Sequence, residues 1–296
     1  KITSYDLVSA SQLPKDADIF CGPPGYCLAQ MMSLPERTKK FVWVWNNSDI
    51  HRDEMLIPEY QRFNHPYDTS KTWRWINETA LKLADCVIAC SLFVKATHAR
   101  VVPEDKIQIA FWGVDSQRFS PTKEEPPGFR VLFVGGDPIR KGLPYLLDAL
   151  MSLAKEGVTG IELWIVGCKV ELGGIGFPVK QFGMVPHSQM PEIYQQVHCL
   201  ALPTLEDGIA LAIQEGMASG LVPITSPETA EVFEDGKSGI KVEYRGIGAI
   251  RNAILMLRDN PEKRHQMARE ARALAEKQPW AETKRQFKEI IKREAM

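Results

Sequence analysis

Short apolar runs alternate with longer amphipathic stretches along most of this chain. Residues 19–22 read as a strand ending in the turn Gly22-Pro-Pro-Gly25, and 41–45 (Phe-Val-Trp-Val-Trp) read as a second strand. Residues 73–83 carry helical spacing and lead into a strand over 86–90. Ser91 caps a short helix holding Val94 and His98, and 106–111 form a further strand. This is the strand–helix–strand rhythm of a parallel sheet. It pauses in the polar, proline-rich segment 120–128, read as an interdomain linker. It then resumes with strands predicted over 129–134, 161–166, 179–182, 199–202, 222–225 and 240–242. Helices are expected over 143–155, 191–196, 210–219, 230–233, 247–258 and 261–277, and a last amphipathic one from 280 to the end. The pattern implies two open α/β sheets in tandem: domain 1–122, domain 123–279, and a terminal helix 280–296. Ligands of such sheets bind beyond the carboxyl ends of the strands, so the expected site is the cleft between the two domains.

Composition narrows the function classes. Charged residues make up 25% and the net charge is −1, so no overall field draws the chain to nucleic acid. There is no run of eighteen apolar residues to span a membrane and no signal-peptide pattern, which points to a cytoplasmic protein. The aromatic-basic stretch Lys71-Thr-Trp-Arg-Trp75 leaves peripheral membrane contact open, although Trp73 and Trp75 at helical spacing are expected in the core. The six cysteines (Cys21, Cys27, Cys86, Cys90, Cys168 and Cys199) lack metal-ligand spacing and are expected as buried, reduced thiols.

The segment Leu202-Pro-Thr-Leu-Glu-Asp-Gly-Ile-Ala-Leu-Ala-Ile-Gln-Glu-Gly-Met-Ala-Ser-Gly220 carries the most chemistry. A strand ends in an acidic, glycine-containing loop that opens a helix. The helix's first amides lack partners within it and can hold a phosphate. Asp207 precedes Glu215 by eight positions, so one acid can meet a sugar and the other a ribose diol, with a pyrophosphate between them. Upstream, Phe133-Val-Gly-Gly-Asp-Pro-Ile-Arg-Lys-Gly142 follows a strand and precedes a helix, which places two cations, Arg140 and Lys141, near such a diphosphate.

These residues resemble the E-x7-E region of the family 4 retaining glycosyltransferases of the GT-B fold. The resemblance implies two Rossmann-like domains facing a cleft, here with a reduced N-terminal acceptor domain and a terminal helix crossing back onto it. It implies that Asp207 contacts the donor sugar, one methylene shorter than the usual Glu, with Glu206 beside it as a competitor. It also implies that Glu215 contacts the ribose, while Gly208, Ile209, Ala210 and Leu211 offer backbone to the donor. Ile209 and Ala210 depart from the family's aromatic and glycine. Lys141 occupies the family's lysine position, Gly136 stands at the usual arginine position, and Arg140 substitutes for it. Gly183-Met-Val-Pro-His-Ser-Gln-Met-Pro-Glu-Ile-Tyr194 is similar to the loop that holds the base through backbone near Val185. Segments 113–121 and 226–239 also fit the pattern. A sugar-contacting His follows an early strand in this family. Here His51 is the candidate, with Asn46 and Asn47 closer to the strand end, and the remaining histidines (His65, His98, His187, His198 and His265) are read as structural.

The implied activity is retaining transfer of a hexosyl group from a UDP- or GDP-sugar to a glycan, lipid or small-molecule hydroxyl. No metal or other cofactor is expected, since no Asp-x-Asp ends a strand and cations plus a helix terminus can serve the diphosphate. A nucleotide-sugar-binding subunit without catalysis, or a GT-B epimerase or phosphorylase, are the alternatives.

Overall fold

The computed structural model describes residues 2–14, 16–122 and 124–295. The chain divides into two compact units, 1–112 with 281–296, and 113–280. The boundary therefore falls ten residues before the expected one, and the proline-rich segment lies inside the second unit. That segment reads as a linker by composition, but its contacts are with the second sheet's helices: Gln195 Nε2 donates to the Ser120 carbonyl at 3.0 Å.

The first unit contains α1 (Ile2–Gln12), β1 (Ile19–Gly22), α2 (Leu28–Ser33), β2 (Lys39–Val44), α3 (Asp49–Arg62), α4 (Lys71–Leu83), β3 (Cys86–Ala89), α5 (Leu92–His98) and β4 (Ile107–Ile109). Its four strands run parallel in the order β1-β2-β3-β4. Serines start three of the helices: Ser48, Ser70 and Ser91 accept hydrogen bonds from the N3 amides of α3, α4 and α5. The sequence reading missed α1, α2 and α3. Helix α1 lacks an apolar stripe, and what anchors it is Asp6. That carboxylate is buried and accepts from the Ala29 and Gln30 amides of α2 at 2.7 and 3.1 Å. Phe41, Cys86, Ile88 and Ala110 form a core with Ile290 of the last helix, α11 (Trp280–Ala295), and Phe287 and Ile291 pack beside it. Two of the expected core aromatics differ: Trp75 is exposed and Trp73 is half-buried against Tyr26. All six cysteines are free. Four are buried, whereas Cys21 is exposed on the edge strand and Cys168 is half-buried.

The second unit contains β5 (Phe129–Val134), α6 (Leu143–Lys155), β6 (Ile161–Val166), β7 (Val179–Gly183), α7 (Met190–Tyr194), β8 (Cys199–Leu202), α8 (Leu211–Ala218), β9 (Val222–Thr225), β10 (Ile240–Lys241), α9 (Ile247–Asp259) and α10 (Pro261–Glu276). The expected helix over 230–233 is a 3₁₀ turn at Pro227–Val232. The sheet is parallel in the order β10-β9-β8-β5-β6-β7. Strands β8 and β9 are buried at every position, as expected where helices cover both faces. Helix α6 buries Leu143, Leu146, Leu150 and Leu153 at helical spacing. The chain builds outward from β5 through β6 and β7, then returns to β8 and builds the other way. The order reverses between β5 and β8, and the loops leaving those two strands form the switch-point crevice where open α/β sheets bind ligands.

Candidate donor site in the second unit

The loop leaving β5 is tied to the loop leaving β8 by backbone. The Leu205 amide donates to the Arg140 carbonyl at 2.8 Å, and Thr204 Oγ1 donates to the same carbonyl at 3.1 Å. Gly142, the N-cap of α6, has φ +74°, and a Cβ there would overlap the Pro203 carbonyl. Only glycine allows both the left-handed conformation and this approach. On the other side, Gly135 and Gly136 pass so close to Gly167 that a Cβ on Gly167 would lie 2.7 Å from the Gly135 carbonyl carbon. Three strand ends thus pack backbone to backbone around the crevice.

These contacts bring Arg140 and Lys141 onto the acidic loop, although 66 positions separate each cation from the acid it meets. Lys141 Nζ pairs with Asp207 Oδ2, and both side chains are nearly buried, at 12% and 8% exposure. Arg140 Nη1 donates to the Glu206 carbonyl at 3.2 Å and approaches Glu206 Oε2 at 3.5 Å. The other Glu206 oxygen, Oε1, is buried without a hydrogen-bond partner. Burial pushes this carboxyl's pKa up, against the opposing pull of Arg140. The Asp207 amide donates to Glu228 Oε2 at 2.8 Å, and Glu228 Oε1 accepts from Tyr244 at 3.1 Å. Gly208, Ile209 and Ala210 then lead into α8, which begins at Leu211 with no side chain capping it. Its first amides and the positive end of its dipole open on the same loop.

Glu215 lies in the second turn of α8, buried. Its two oxygens have different partners. Oε2 accepts from the fully buried Tyr194 hydroxyl at 2.9 Å, and Oε1 is 2.7 Å from Nε2 of His187, whose side chain is 60% exposed. The sequence leaves His187 as structural and misses its partner: it links the loop holding Val185 to the predicted ribose carboxylate. Tyr194 and Glu228 were missed as well. The one sequence signal for His187 and Tyr194 was their place in the base-holding loop, since only folding brings them within reach of Glu215. His51 belongs to the other unit, in the first turn of α3, with its ring edge-to-face on Phe93 at 5.3 Å. Among the described residues no three His, Cys, Asp or Glu side chains cluster as metal ligands, and no helix is long and apolar enough to cross a membrane.

Residues 128–260, which contain both site loops, match the family model described as glycosyl transferases group 1. The chain is 26% identical over 227 residues to GDP-mannose:cellobiosyl-diphosphopolyprenol alpha-mannosyltransferase of Xanthomonas oryzae, covering 70% of this chain and 59% of that protein. The chain spans between half and two thirds of the length of the curated relatives it matches. Among solved structures, sucrose-phosphate synthase of Thermosynechococcus elongatus superposes with a TM-score of 0.75 at 17% identity, over 93% of this chain and 73% of that one. Anabaena HepE, solved with UDP and glucose, superposes with a TM-score of 0.75 at 16% identity, over 98% of this chain and 80% of that one. The sheet order, the switch-point loops and these matches agree: residues 128–260 are similar to the glycosyl transferases group 1 model, and the chain has the GT-B fold.

Proposed function

We propose that this chain is a retaining glycosyltransferase that needs no divalent metal and moves a sugar from a UDP- or GDP-sugar to an acceptor hydroxyl. The observation that carries the reading is the joining of Arg140 and Lys141 to the acidic loop at the uncapped start of α8. Two cations and a helix terminus there offset the charge that grows on a departing nucleoside diphosphate. Asp207 would orient the sugar hydroxyls. Glu215 would accept the ribose hydroxyls through Oε1 once the exposed His187 moves aside, while buried Tyr194 keeps Oε2 fixed. In the transfer, the acceptor oxygen bonds to the anomeric carbon as the bond to the diphosphate oxygen breaks, and the acceptor proton passes to the departing phosphate. Attack on the face the diphosphate leaves retains the configuration. The donor classes follow the relatives: GDP-mannose is in the name of the Xanthomonas enzyme, and UDP is in the HepE complex. The acceptor is a glycan, free or lipid-linked.

The test is calorimetric titration of the full chain with UDP, GDP and their sugars in EDTA, followed by NMR of the product's anomeric configuration. A nucleotide sugar that binds in EDTA and loses affinity in Glu215→Ala supports the reading. At 100 times its dissociation constant it should add about 2.7 kcal/mol of stability. An inverted product, or binding that vanishes in EDTA, refutes it.

A further inference from the structure

We propose that a cavity of about 490 Å³ at the C-terminal end of α8, lined by basic side chains, binds a small phosphate-bearing anion. It lies in the second unit, walled by Pro121, Thr122, Glu125 and Pro126, the α8–β9 turn at Ser219–Leu221 and one face of α10. Helix α8 is eight residues long, so about 12 Å of helix separates this cavity from the loop at its other end.

The chemistry of the walls is one-sided. Helix α10 presents Arg264, His265, Arg269 and Arg272 to the cavity, and His198 adds a second imidazole. The two acids that line it are already engaged. Glu276 holds Arg272 Nε at 2.7 Å, and Glu125 holds Arg264. The groups that remain are donors. Arg269 has no ion pair or hydrogen bond among the described residues, and the Ser219 hydroxyl is buried without a partner. An unpaired guanidinium and an unsatisfied hydroxyl lining one cavity suit an anion with several acceptor oxygens.

Glu125 shows what the cluster accepts. Its Oε1 meets Arg264, lies 3.2 Å from His265 Nε2 and 3.8 Å from His198 Nε2. One carboxylate oxygen therefore gathers three basic groups, yet the side chain is 47% exposed and enters from a surface segment. It is a tethered anion that a phosphate can displace. His198 is held in place rather than left open: its Nδ1 accepts from the Arg130 amide at 3.0 Å, and its Nε2 donates to the Pro126 carbonyl at 3.2 Å.

The readout must belong to this cavity, because a donor site also binds phosphate. His265 provides it, through its ring resonance in histidine-labelled full chain, identified by His265→Gln. Inorganic phosphate at constant pH and ionic strength should shift this resonance saturably. Arg269→Ser, a change at an exposed side chain, should weaken that binding about tenfold, and Glu125→Gln should tighten it several-fold. A shift linear in phosphate, or one equal in wild type and Arg269→Ser, overturns the proposal. Co-sedimentation with phosphatidylglycerol vesicles but not phosphatidylcholine vesicles, lost in Arg269→Ser, would identify the phosphate source as a lipid headgroup. Its absence alongside a saturable phosphate shift identifies a soluble anion. The measurement needs no glycosyl transfer, so its failure is distinct from failure of the donor-site reading.

Discussion

The pair of Lys141 and Asp207 admits a double-mutant cycle with two independent readouts. Both side chains are nearly buried, so removing either charge leaves the other in a poorly solvated place. Breaking such a pair costs about 3 kcal/mol, the lower end of the range for buried pairs, because neither group is wholly shielded from water. Lys141→Met and Asp207→Asn should each lower the urea midpoint with an unchanged slope. The double variant should recover about 2 kcal/mol relative to the sum of the singles. UDP affinity should then move in opposite directions. Lys141→Met removes a cation from the diphosphate and should weaken UDP roughly tenfold to a hundredfold. Asp207→Asn frees the ammonium that the acid holds in the unliganded protein, so UDP, which has no sugar to lose, should bind more tightly. Singles that add within about 0.5 kcal/mol would show that the ion pair does not form in solution. Equal weakening of UDP by both variants would refute the assignment of Lys141 to the diphosphate and Asp207 to the sugar.

Three further outcomes are expected. Gly142→Ala should destabilise the second unit by about 2–5 kcal/mol in chemical denaturation, because it adds left-handed strain to an overlap with the Pro203 backbone; a change below about 1 kcal/mol would contradict that packing. Glu206 has a raised pKa in the folded state, so the folded protein binds the extra proton and stability falls as pH rises from the ordinary carboxyl value through the raised one. Glu206→Gln should flatten that slope in a pH series of urea midpoints, and an unchanged profile counts against it. Burial, with Arg264 nearby, pushes His198 down to about 4 from 6.5, so the unfolded chain binds the extra proton between these values. Stability should therefore be full above about pH 6.5 and fall by ~3 kcal/mol towards pH 4, a loss that His198→Asn should abolish.

Much of the second unit was legible in the sequence because its elements are strongly periodic. The bounds of β5, α6, β6, β8 and β9 match those expected, since each combines an unbroken apolar pattern with flanking glycine or proline. The first unit was read less fully. Helix α3 is mostly polar and carries Pro58 within it, and α1 gives no amphipathic signal, so local pattern could not identify either. The terminal helix was legible as an element, and its core contacts through Phe287 and Ile290 come from the fold.

The same division runs through the site. The spacing of Asp207 and Glu215, and the position of Arg140 and Lys141 after a strand, are local properties, so the sequence by itself determined which side chains serve the two loops. Which atoms they meet was decided only by tertiary structure. Reversal of the strand order between β5 and β8 sets the two loops side by side, and the close approach at Gly142 and Gly167 fixes their distance. Glu215 meets His187 and Tyr194 from 28 and 21 positions away, which no local pattern encodes. The cavity beside α10 arises the same way, from a surface segment carrying Glu125 to a helix face 139 residues further along. Periodicity shows which face of an element is apolar. The partner of a polar group depends on where the sheet brings distant turns together, because a buried charge or hydroxyl takes whichever complementary atom the packed backbone leaves within reach.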